Sequence, residues 1–100
     1  MNLRAALALT VLLVVSPAMA QPTADSLFTE AVQLEQDGNG RDAVRKYMQA
    51  ARSGSGKAAK RLGEIYDKGL IGISRDYAES LKWYNAARVL GEDVPMAKSR

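Results

Sequence analysis

The chain has 100 residues and a net charge of +3, from 14 Lys/Arg against 11 Asp/Glu, with neither cysteine nor histidine. That length holds one small domain. The missing residue types exclude disulfides, cysteine nucleophiles, serine–histidine pairs and the commonest zinc sites, and the weak charge argues against nucleic acid.

The first segment reads as an address rather than as structure. Arg4 precedes an apolar run from Ala5 to Val15 broken only by Thr10; Ser16 and Pro17 end it, and Ala18-Met19-Ala20 offers the small–x–small pattern of a cleavage site. A secretory signal peptide over 1–20 is expected, cut after Ala20, with a periplasmic or secreted product. The run is shorter than the roughly 18–20 apolar residues a spanning helix needs, so no stable membrane anchor is expected after cleavage. Packing alone must then hold the mature chain together in an oxidising compartment, because it contains no cysteine.

Residues 21–26 are polar and are predicted to form a flexible lead-in, with Thr23 or Asp25 able to cap a first helix. Leu27, Ala31 and Leu34 then recur at helical spacing, ending at Asp37-Gly38-Asn39-Gly40. Asn39 is placed to cap a second helix, in which Ala43, Tyr47 and Ala50 form one apolar stripe and Val44, Met48 and Ala51 its neighbour. Ser55 can cap a third helix carrying Ala58, Ala59, Leu62, Ile65 and Tyr66 inward, with Lys60 and Glu64 paired outward. Gly69 ends it, and the apolar loop Leu70-Ile71-Gly72-Ile73 should fold back onto the domain. Asp76, with Glu79 three residues on, predicts a capping box for a fourth helix that ends at Gly91. Residues 92–100 are expected to form a tail or a short capping helix.

Ala43, Tyr47, Ala50 and Gly54 match Ser80, Tyr84, Ala87 and Gly91 at a spacing of 37; Leu27, Ala31 and Leu34 match Ala59, Gly63 and Tyr66 at 32. Paired helices recurring at such a period mark a helical-hairpin solenoid, with units over 27–54 and 58–91. The second unit, through Leu62, Gly63, Tyr66, Gly69, Gly72, Ile73, Asp76, Trp83, Tyr84, Ala87 and Gly91, resembles a Sel-one-like repeat. It departs from that pattern at Ser80 and Arg88, where alanine is usual, and in one additional loop residue. The first unit is similar to a plain tetratricopeptide repeat, with Lys46 where tryptophan is common. The resemblance implies an all-α right-handed superhelix acting as a non-enzymatic adaptor for a protein or peptide partner, without cofactor or metal.

On that reading the groove-lining positions are Asp25, Phe28, Val32, Glu35 and Gln36 in the first unit and Lys57, Lys60, Glu64 and Asp67 in the second. Burial of Phe28 and Val32 against the next unit competes with partner contact. A C-terminal face around Tyr77, Trp83, Val89 and Val94 could dock a second copy or a larger partner. A rival reading is a cell-wall enzyme or accessory, for which Glu64/Asp67 and Asp76/Glu79 would have to share a pocket. Arg41, Arg45 and Arg52 raise a third reading, binding to anionic envelope surfaces. Gly54-Ser55-Gly56-Lys57 lacks the flanking residues of a phosphate-binding loop and reads as a helix connection.

Overall fold

The computed structural model describes residues 21–95, so the signal-peptide segment 1–20 and residues 96–100 lie outside the described residues. Among these the chain is all-α: α1 (Ala24–Gln36), α2 (Gly40–Arg52), α3 (Gly56–Lys68) and α4 (Tyr77–Val89). The lead-in expected over 21–26 is shorter, because Thr23 is already the N-cap and Ala24 is helical. The second unit likewise starts earlier than residue 58, at Gly56, and residues 90–95 add no further helix.

Capping sets these boundaries. Thr23 Oγ1 accepts the Ser26 N–H while Ser26 Oγ accepts the Thr23 N–H, closing both free donors at once. Ser55 Oγ caps α3 through the Ala58 N–H. Asp76 caps α4 through the Glu79 N–H, but Glu79 does not return the bond; its carboxylate accepts from Trp83 Nε1 and Lys82 Nζ instead. Asn39 departs from expectation, making no side-chain cap. Its ψ of 70° falls short of the 100° or more at Thr23, Ser55 and Asp76, so its amide is not carried over the first turn of α2.

All four helices end alike. Gly38, Gly54, Gly69 and Gly91 each adopt positive φ, and the next N–H reaches the carbonyl five residues back: Asn39 to Leu34, Ser55 to Ala50, Leu70 to Ile65 and Glu92 to Ala87. This satisfies carbonyls that the helix leaves without partners. Asn39 and Ser55 therefore serve twice, closing one helix and starting the next.

α1 packs along α2, α3 along α4, and α2 against α3. The three-residue links 37–39 and 53–55 force neighbouring helices to run antiparallel. In the second pair, the Asp76 N–H bonds the Tyr66 carbonyl, Ser80 Oγ the Gly63 carbonyl, and Leu90 lies beside Gly56. Partners that descend α3 as they ascend α4 define an antiparallel pair. The core holds Ala31, Ala43, Tyr47, Ala50, Ala58, Ala59, Leu62, Ile65 and Ala87, all essentially closed to solvent. Alanine dominates because it lets helix axes approach. At Gly63 the approach is closer still: a Cβ there would lie 2.6 Å from the Tyr84 ring. The hydroxyl of Ser80 is accounted for by its buried bond to the Gly63 carbonyl.

Each residue pair matched at spacing 37 or 32 shares its environment. Tyr47 and Tyr84 are buried, as are Ala31 and Gly63; Leu34 and Tyr66 are half-buried; Gly54 and Gly91 are exposed at helix ends. The loop after α3 does fold back, with Leu70, Ile71 and Ile73 packed on the core. Its Ile71 carbonyl lies against Gly40, where a Cβ would collide with the oxygen, and Ile71 itself has φ +49°, a conformation rare for a β-branched residue.

Candidate functional site

The surface shared by α1 and α3 is built around Glu35. Its carboxylate accepts a hydrogen bond from Tyr47 Oη at 2.7 Å and from Arg61 through Nε at 3.2 Å and Nη2. Arg61 Nη1 extends the chain to Glu64 at 2.9 Å. Three helices thus meet at one acid: α1 supplies Glu35, α2 Tyr47, and α3 Arg61 with Glu64. The Arg61 bond holds the Glu35 carboxyl below the ordinary glutamate range, against the opposing effect of burial, with the Tyr47 bond adding to it. Tyr47 moves the other way, raised first by burial and then by its bond to Glu35. Arg61 is raised by the same Glu35 bond and stays charged.

Around this cluster the expected groove residues separate into two groups. Phe28 and Val32 are half-buried and packed on the core, with the Phe28 ring 5.8 Å from that of Tyr47 at a 53° tilt. They face the domain while keeping an accessible edge. Asp25, Gln36 and Lys57 are exposed, and Lys60 is half-buried. Asp67 is half-buried near the end of α3, its backbone carbonyl accepting from Arg75 Nε at 2.9 Å. The outward Lys60–Glu64 pair is not formed. Glu64 binds Arg61 instead, because that guanidinium, anchored by Glu35, reaches it within one helical turn.

Arg61 is the residue sequence reasoning missed. Its partner lies 26 positions away, and only the nesting of the helix pairs brings the two together. A signal existed at Tyr47: a tyrosine predicted to be buried needs a partner for its hydroxyl, and the acids of α1 were the nearest candidates.

No known protein family, curated protein or solved structure matches this chain. Function must therefore be argued from the surface itself. The C-terminal face is smaller than expected: Trp83 is buried and bonded to Glu79, Val94 packs on the core, and Tyr77 is half-buried, which leaves Val89 and its neighbour Leu90 standing clear. The acids that an enzymatic reading would pair are separated by task, Asp76 and Glu79 capping and steadying α4 while Glu64 holds Arg61. Among the described residues no group of three or more acids, histidines or cysteines could hold a metal ion, and no helix is long and apolar enough to cross a membrane.

Proposed function

We propose that the chain is an exported, non-enzymatic adaptor of two tetratricopeptide-like or Sel-one-like repeats that binds a protein or peptide segment along α1 and α3. The observation that carries this reading is the Glu35–Arg61 ion pair. It ties the first helix of one pair to the first helix of the next, so both helices offer side chains to one continuous surface. Phe28 and Val32 give that surface an apolar edge, and Lys57 and Lys60 give it charge. The shared burial of residues matched at 37 and 32 supports the repeat reading, as does the common length of 13 residues in all four helices.

The test is capture from a periplasmic extract with the wild-type chain and with Lys57→Glu/Lys60→Glu as bait. A partner retained by the first and lost from the second is the expected result. Partners held equally by both, or none at all, would remove this surface from consideration. Intact-mass measurement on exported protein tests the address separately, with a mature chain beginning at Gln21 as the expected product.

A further inference from the structure

A second concave surface is formed by α2 together with Leu34 near the end of α1. It is an open groove of about 560 Å³, and none of Phe28, Val32, Lys57 or Lys60 lines it. Leu34 and Met48 contribute its apolar part, each half-buried with one side on the core. Arg45, Lys46 and Arg52 supply three cations, against one lining acid, Asp42.

Two of these cations are only lightly engaged. Arg45 pairs with Asp42 one turn away, but the side chains are 71% and 52% exposed, and exposed pairs of this kind contribute little and exchange readily. Arg52 has no ion pair among the described residues. Lys46 is held by Glu30 at 3.2 Å. Seven positions separate Arg45 from Arg52, which is about two turns and about 10 Å along the helix. In an extended peptide whose apolar side chains alternate with carboxylates, the carboxylates recur every second residue along one side, about 7 Å apart, so neighbouring ones fall within reach of Arg45 and Arg52. Methionine suits such a groove because its unbranched side chain adapts to the apolar group placed on it.

We propose that this groove between α1 and α2, with Leu34 and Met48 beneath and Arg45, Lys46 and Arg52 at its edge, binds an acidic peptide segment whose apolar side chains alternate with carboxylates. A membrane surface fits less well, since the groove is concave, carries Asp42 among its cations and belongs to a chain of weak net charge.

The probe is a fluorescein-labelled 12-residue peptide of alternating Leu and Glu, titrated with the full chain by anisotropy at low salt. Its Leu/Gln counterpart and phosphatidylglycerol vesicles serve as comparators. The Leu/Glu peptide is expected to bind, the Leu/Gln peptide at least tenfold more weakly. Arg45→Glu/Arg52→Glu should cost tenfold or more; Arg45→Gln/Arg52→Gln, which adds no like charges, should cost less but in the same direction. Circular dichroism checks that each variant keeps its helices. Lys57→Glu/Lys60→Glu, on the other face, should leave this affinity within twofold, so failure here and failure of the adaptor surface are read separately. No binding up to about 1 mM, equal binding of the Leu/Gln peptide, indifference to both Arg45/Arg52 variants, or Arg45/Arg52-dependent capture of vesicles in place of the peptide would each overturn the proposal.

Discussion

Tyr47 and Gly63 show how single positions hold this small domain together. Tyr47 fills the space between α1 and α2 and gives its hydroxyl to Glu35, so the core gains a large ring without stranding a polar group. Tyr47→Phe keeps the ring and removes a bond to a charged acceptor; a loss of about 1–2 kcal/mol in urea unfolding, with the slope unchanged, is expected. Gly63 is a helix-interior glycine, and alanine there would gain about 1 kcal/mol of helix propensity. The Tyr84 ring 2.6 Å from the added methyl is itself buried and has little room to retreat. Overpacking of this kind costs about 1–3 kcal/mol, so Gly63→Ala should lower the melting temperature despite the better helix former. Gly56→Ala is the control. The nearest atom to its added methyl is the Glu92 Cγ, on a flexible side chain that can swing away, and its cost should be smaller.

At the scale of the helix, periodicity and end signals were readable from the chain, and the details of capping were not. Thr23, Ser55 and Asp76 cap as their residue types suggest. Asn39 does not: it closes the preceding helix just as Ser55 does, but its ψ of 70°, against 104° at Ser55, leaves its amide short of the first turn of α2. The reciprocal half of the Asp76–Glu79 box was equally hidden, since Trp83 and Lys82 compete for the Glu79 carboxylate. Ser55→Ala should therefore cost about 1 kcal/mol, and Asn39→Ala should cost less, measured as paired thermal melts. An equal loss at both positions would mean that the Asn39 side chain stabilises α2 after all.

The nesting of the two pairs was legible only as far as the matched small residues allowed. Ala31, Ala43 and Ala50 announce close approach, but no spacing rule foretells which side chains then meet. Glu35 and Arg61 illustrate this, as does the Ile71 carbonyl lying over Gly40 from the opposite pair. That clasp has a pH signature. The folded Glu35 pKa lies below the ordinary 4.5, so between the two values the unfolded chain binds more protons. The stabilisation is complete above about pH 4.5 and is lost as pH falls through the folded value. At the alkaline end Tyr47 is raised above its ordinary 10.0. The unfolded tyrosine ionises first, and stability declines as pH rises past that value. Stability measured against pH should show a plateau bounded on both sides. Glu35→Gln should flatten the acid limb relative to wild type, and an unchanged acid limb would assign it to other carboxylates. The double duty of Asn39 and Ser55 bears on how this chain can change. Every residue inserted into a link that already finishes one helix and begins the next would rotate the downstream helix by about 100° and turn the alanine stripe away from its neighbour. Length variation in relatives and tolerated engineered insertions should thus concentrate in the segment between Gly69 and Asp76 and spare the two short links.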